Sequence, residues 1–197
     1  MQGDKKQKRH EAIAAAAYGL LAEKGYDGAS MLSIARSAKA SNETLYRWYG
    51  DKRGLFEALV RDNAADIRRR LEAAIEQGDA PRHTLRTIAP LLLSMLLGER
   101  AVLLNRAAAA DPSGELGMAI SAGGREVIQP LIGQVMARLG PPDTTDLPAL
   151  TDLFVSLLIG DSQIKRVIGV QPVPTPAWVK ARSDRALAAF FALLERG

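Results

Sequence analysis

Five clusters of Gly, Pro and Asp punctuate this chain, at 25–28, 78–81, 111–114, 140–143 and 169–176, and the segments between them are mostly too long for strands. Leu, Ala, Arg and Glu dominate those segments, and no alternating run is bounded by a hairpin turn such as Asn-Gly. The expected fold is therefore all-α, with about nine helices. Apolar residues reach 47% and charged residues 24%, enough to bury a core and too apolar for a disordered chain. No residue is Cys and two are His, His10 and His83, which removes disulfides, thiolate zinc sites, cysteine nucleophiles and multi-histidine metal sites. No cofactor and no metal are expected.

The apolar spacing sets the helices. Ile13, Ala16, Ala17, Leu20 and Leu21 form one buried stripe, ending near Gly25. Phe56, Leu59, Val60, Ile67, Leu71 and Ile75 carry a long linking helix, with Arg68, Arg69 and Arg70 on its wet side. The stretch 91–97 is apolar nearly all round, and Pro90 should kink or start its helix. Val127, Ile128, Leu131, Ile132, Val135, Met136 and Leu139 form a stripe interrupted by Pro130, and two long helices, 147–168 and 178–194, close the chain.

The longest uncharged run near the middle, 87–98, falls short of the ~20 apolar residues of a spanning helix. Lys5, Lys6, Lys8 and Arg9 before the Ala-rich run 12–22 imitate a secretory leader. Ile13, Leu20 and Leu21 nevertheless recur on one helical face, which favours an amphipathic helix, a cytoplasmic protein and no membrane partner. The basic run itself reads as a flexible arm able to touch phosphate. Net charge is +4, of which residues 1–60 carry +3, so the first third favours a polyanion partner.

Residues 30–49 are the most informative. Ser30 and Ser41 are N-cap candidates, because a hydroxyl there accepts from the free N–H groups of a first helical turn. Met31, Ile34, Ala35 and Ala38 line one face of a short helix, and Leu45 with Trp48 or Tyr49 lines a second. Two short helices joined by a tight turn at Lys39 and Ala40, after a longer helix, make a helix-turn-helix. The second helix turns Asn42, Glu43, Thr44, Tyr46 and Arg47 outward.

The run from Gly25-Tyr26 through Ile34-Ala35, Ser41, Thr44-Leu45-Tyr46 and Lys52 to Leu55-Phe56 resembles the tetracycline-repressor (TetR) family of bacterial regulators. The resemblance covers about the first 60 residues and implies a homodimer with a DNA-binding domain over 1–55. It also implies an effector-binding and dimerisation domain over 56–197, dimerising through the last two helices. Three positions depart from the family pattern: Lys39-Ala40 replaces a Gly and a branched apolar residue, Ser33 replaces an acid, and Arg47-Trp48-Tyr49 alters an aromatic pair. The expected DNA-binding residues are Ser30, Lys39, Ser41, Asn42, Thr44, Tyr46, Arg47 and Lys52. Arg47 would pair with guanine or phosphate, Thr44 and Tyr46 would touch backbone or a thymine methyl, and Lys52 matches a family phosphate contact.

An apolar or weakly polar effector is expected against Leu92, Met95, Leu96, Leu103, Met118, Met136 and Phe154, a set rich in adaptable Met and Leu. Asn105, Arg106, Arg125 and Gln163 are the candidate polar anchors, and plain core is the alternative for each apolar member. Leu157, Ile164, Ile168, Leu187 and Phe191 are the candidate dimer contacts. The function expected is thus a repressor released from a palindromic operator, double-stranded DNA, by a small molecule. Its rivals are a helical ligand carrier and a DNA-binding protein that senses nothing. An enzyme has little support, since Asp111, Glu115 and Glu126 are the nearest approach to a carboxylate cluster.

Overall fold

The computed structural model describes residues 2–139 and 146–195, with side chains from Lys5 onward, and leaves the 140–143 cluster outside the described residues. Among the described residues it is all-helical: α1 (Gln2–Gly28), α2 (Met31–Ser37), α3 (Asn42–Tyr49), α4 (Lys52–Glu76), α5 (Pro81–Leu97), α6 (Glu99–Ala109), α7 (Glu115–Ile120), α8 (Glu126–Met136), α9 (Leu147–Ile159), α10 (Ser162–Val167) and α11 (Pro176–Leu194). A π-helical turn, Ser121–Arg125, leads into α8. No single described helix is long and apolar enough to cross a membrane.

The chain forms two compact units, one of residues 1–62 with 103–120, the other of 63–102 with 121–197. The first unit thus extends beyond residue 55 and takes back a later segment. Its core gathers Ile13, Ala17 and Leu21 of α1, Met31 and Ile34 of α2, Leu45 of α3, Phe56 and Leu59 of α4, and Leu104 and Leu116. In the second unit α11 packs on α5 and α9, and α9 packs on α8, around Leu71, Leu93, Leu97, Ile132, Phe154 and Phe190.

Several expectations need correction. The basic run 5–9 is helical, forming the first turns of α1 rather than a loose arm. Helical geometry breaks at Gly25 (φ 68°), where the first stripe ends. Pro90 lies inside α5, which starts instead at Pro81, and Pro130 lies inside α8. The expected helix 147–168 is two helices, because Gly160 adopts φ 54° and ends α9. Arg182 donates there to the carbonyls of Leu157 (2.8 Å) and Leu158 (3.0 Å), satisfying C-terminal acceptors that continuation of the helix would have used.

The solvated reading of Arg68, Arg69 and Arg70 agrees with their pairing along α4, to Glu72 at 2.7 Å and to Asp66 for the other two. Asp111 is spent on structure: it accepts from the backbone of Leu116 (2.9 Å) and Ser113 (3.0 Å) at the start of α7, which holds its carboxyl below the usual range. Glu115 pairs with Arg53 at 3.2 Å. No three described His, Cys, Asp or Glu residues form a group able to hold a metal ion.

Candidate nucleic-acid interface

Local chemistry defines both short helices. Ser30 caps α2, accepting from the Ser33 backbone at 3.1 Å, while the Ser33 hydroxyl accepts from the Ser30 backbone at 3.0 Å. Serine therefore closes the capping box where an acid is usual. Ser41 caps α3 by accepting from the Thr44 backbone at 3.1 Å, and its hydroxyl lies 2.8 Å from that of Thr44. Caps of this type contribute ~1 kcal/mol each. Between the helices Lys39 adopts φ 50°, so the left-handed turn is kept without the glycine that would adopt it more cheaply.

The helix-turn-helix is closed behind α3 by a second tight junction. The Asp51 carboxylate accepts from the Gly54 backbone at 2.7 Å, capping α4. A Cβ on Gly54 would stand 2.0 Å from the Tyr49 carbonyl oxygen, so glycine there lets α4 start directly against the end of α3. This cap and this glycine belong to the site's framework and were not anticipated, although Asp three residues before Gly at a helix start is a readable signal.

Leu45 is the buried anchor of α3, fully enclosed, with Trp48 and Tyr49 half-buried against the same core. The opposite side presents Asn42, Glu43, Tyr46 and Arg47 to solvent, with Thr44 partly exposed; Tyr46 keeps 49% of its surface accessible. Arg47 lies 3.7 Å from Glu43 one turn earlier, an exposed pair that a phosphate or base edge could replace at little cost. Lys52 sits at the start of α4 with its ammonium 4.0 Å from the centre of the Tyr26 ring and 3.5 Å from the Asp27 carbonyl. Burial lowers its pKa, with the Asp27 charge opposing. The ring fixes the head of this lysine, unlike the freely rotating head of a solvated one. The structure thus brings Ser41, Asn42, Thr44, Tyr46 and Arg47 onto one helix, with Lys39 in the preceding turn, Lys52 on the next helix and Ser30 within the α2 cap.

The other candidate sets are not assembled in this way. Leu103, Asn105, Arg106 and Met118 fall in the first unit, whereas Leu92, Met95, Leu96, Arg125, Met136, Phe154 and Gln163 fall in the second. Met118 is 64% exposed, and Arg106 and Arg125 also face solvent, so they line no interior. Leu92, Met136 and Phe154 are buried in the core of the second unit, while Met95, Leu96 and Gln163 are half-buried beside one another, the Gln163 amide 3.5 Å from the Leu96 carbonyl. Asn63, not anticipated, donates toward the Met95 sulfur at 3.1 Å. Among the dimer candidates, Leu187 and Phe191 are buried within the chain and cannot offer a free surface. Leu157 is half-buried, and Ile164 and Ile168 are exposed by 57% and 62%.

Two short capped helices behind a longer one, the second helix presenting a polar, partly basic face, define the class of helix-turn-helix DNA-binding proteins. Residues 13–59 match the family model of bacterial regulatory proteins, tetR family. The match covers the N-terminal helices of the chain, the helix-turn-helix among them. Over 57 residues it is 40% identical to the uncharacterized HTH-type transcriptional regulator YdeS of Bacillus subtilis (strain 168), a match that spans 29% of this chain and 29% of that relative. A solved structure of a regulator assigned to the TetR family, from Mesorhizobium loti MAFF303099, is 25% identical over 95% of this chain and 96% of its own, with a TM-score of 0.76. The fold is shared with the transcriptional regulator FadR of Bacillus subtilis, solved in complex with stearoyl-CoA, at 14% identity and a TM-score of 0.71, covering 91% of this chain and 96% of that one.

Proposed function

We propose that this chain is a homodimeric transcriptional repressor that places α3 in the major groove of a palindromic operator and is released by an apolar small molecule. The observation that carries the reading is the face of α3: Asn42, Thr44, Tyr46 and Arg47 lie outward on a helix anchored by Leu45 and capped by Ser41. A guanidinium fork matches the two acceptors of a guanine edge, and the hydroxyls of Ser41, Thr44 and Tyr46 suit phosphate oxygens. Lys39 and Lys52 add positive charge on either side, and Ser30 remains a candidate backbone contact once its cap is formed.

The test is a selection from random duplex DNA, which should enrich an inverted repeat; no enriched palindrome would overturn the reading. On the enriched duplex, Arg47→Ala should lose about ten- to hundredfold in affinity, ~1–3 kcal/mol, and relax preference at one position. Lys52→Ala should weaken binding to all sequences alike and make the salt slope shallower by about one.

Two features support the finer parts. Ile164, Ile168, Val170 and Val173, all more than half exposed, crowd large apolar side chains into ten residues of α10 and the segment after it, as a surface made to be covered does. For the effector, the half-buried Met95, Leu96 and Gln163 with Asn63 offer adaptable apolar wall and amide groups within the second unit. The acyl-CoA bound by the FadR regulator of the same fold makes a long-chain acyl compound the effector class to titrate first against the protein–duplex complex. A true effector must weaken duplex affinity by the factor by which the duplex weakens its own binding.

A further inference from the structure

Three side chains on one face of α1 reach the recognition helix or the turn that precedes it. The Lys6 ammonium lies 5.9 Å from the centre of the Trp48 ring. The Arg9 guanidinium donates at 2.9 Å to the carbonyl of Lys39, the residue whose positive φ forms the turn into α3. His10 bridges two groups: Nδ1 lies 2.7 Å from the hydroxyl of Tyr49, the last residue of α3, and Nε2 lies 2.5 Å from the Asp62 carboxylate on α4. Positions 6, 9 and 10 follow the three-and-four spacing of a single helical face. The contacts therefore fall at both ends of α3, on the turn that precedes it and on its last two residues.

We infer that the start of α1 is a clamp that sets the pose of the recognition helix, with Arg9 and His10 as its positioning residues. The inference rests on the reading of α3 as the DNA-contacting helix. The charges of a basic N-terminal run would ordinarily be assigned to phosphate. Here one guanidinium nitrogen of Arg9, a solvent-exposed residue, donates to a backbone carbonyl, where it helps hold the costly left-handed turn at Lys39. At the other end, burial and the nearby Asp62 charge push the Tyr49 hydroxyl up to about 12, so it remains a protonated partner for the imidazole. His10 can serve in either protonation state. Neutral, it donates from Nε2 to Asp62 and accepts from Tyr49; protonated, it donates to both and Tyr49 accepts. The groups facing it are thus Tyr49 from α3 and Asp62 from α4, and both charge states keep the bridge. A clamp at both ends has a functional use: the base-reading side chains of a short helix need placement within about half an ångström, and the clamp adds fixed points to the packing of Leu45, Trp48 and Tyr49.

The test has two arms. In the free protein, amide hydrogen exchange should accelerate about tenfold over residues 42–49 in His10→Ala and in Arg9→Met, with the helices of the second unit unchanged, and His10→Gln should restore protection because its amide can both donate and accept. Unchanged exchange over 42–49 overturns the clamp whether or not the chain binds DNA. On a duplex enriched from random DNA by the wild-type chain, Arg9→Met should lose about five- to tenfold in affinity with the salt slope unaltered, the worth of one ordinary, solvent-exposed hydrogen bond. A slope shallower by about one would instead make Arg9 a direct phosphate contact and overturn the inference. Failure of the wild-type chain to enrich any duplex would count against the reading of α3 and leave the exchange arm to decide the clamp.

Discussion

Ile164→Asp combined with Ile168→Asp should convert the protein to a monomer at micromolar concentration and lower operator affinity by about a thousandfold. Both side chains are more than half exposed, so the change removes nothing from the core of the second unit and monomers should keep the wild-type helix content and melting behaviour at low concentration. Carboxylates placed on an apolar surface covered by a second copy would bury unpaired charge, a cost no apolar interface of ordinary size absorbs. The loss in DNA affinity follows from linkage. In the proposed dimer each protomer would read one half-site, and joining two binding events raises affinity by about 100- to 10,000-fold over either alone. Sedimentation velocity and titration of the selected palindrome check the two halves of this outcome. A double variant that stays dimeric would remove the 164–173 surface from the interface.

Much of the DNA-binding end was legible because its determinants are local. Ser30 and Ser41 announce their helices within three residues, and Leu45 with Tyr46 and Arg47 divides α3 into an inner and an outer side through spacing alone. The contacts of Lys6, Arg9 and His10 were not legible in the same way, since their partners lie 30 or more residues further along the chain, and a basic run looks the same whether it faces phosphate or a carbonyl.

The C-terminal part misled for a related reason. Apolar stripes over 147–168 and 178–194 do not say whether a partner chain or the chain itself covers them. Leu187 and Phe191 proved to be covered internally, against α5 and α9, whereas Ile164 and Ile168 stay exposed in and beside α10, as do Leu153 of α9 and Leu193 of α11. The break between α9 and α10 was hidden because Gly160 alone, amid continuous apolar spacing, is tolerated inside many helices. Its meaning came from the distant Arg182, which caps the carbonyls of Leu157 and Leu158.

A second arginine bears on how that exposed surface is held. Arg166 is 95% removed from solvent, its side chain spending its donors on the carbonyl of Leu97 at the end of α5 (2.9 Å), the carbonyl of Gln171 beyond α10 (2.9 Å) and the carboxylate of Glu99 (2.9 Å). The helix it belongs to has six residues, too short to hold its shape by backbone bonds alone. Arg166 therefore ties α10 to the C-terminal end of α5, where a cation is favoured by the free carbonyls and the helix dipole. Arg166→Met keeps most of the aliphatic bulk and removes the fork. It leaves two backbone carbonyls without this donor, while Glu99, whose side chain is 63% exposed, can return to water. At ~1–3 kcal/mol for a stranded buried polar group, the expected loss of unfolding free energy is about 2–4 kcal/mol, measurable by urea titration. Because α10 carries Ile164 and borders Ile168, the same change should weaken the dimer before it unfolds the unit, so dissociation should rise at urea concentrations where helix content is still native. Arg166→Lys should behave nearly as badly as Met, since one ammonium cannot reach three acceptors spread around a planar fork. A variant that lost stability without weakening the dimer would uncouple α10 from assembly and leave Arg166 with a purely structural role.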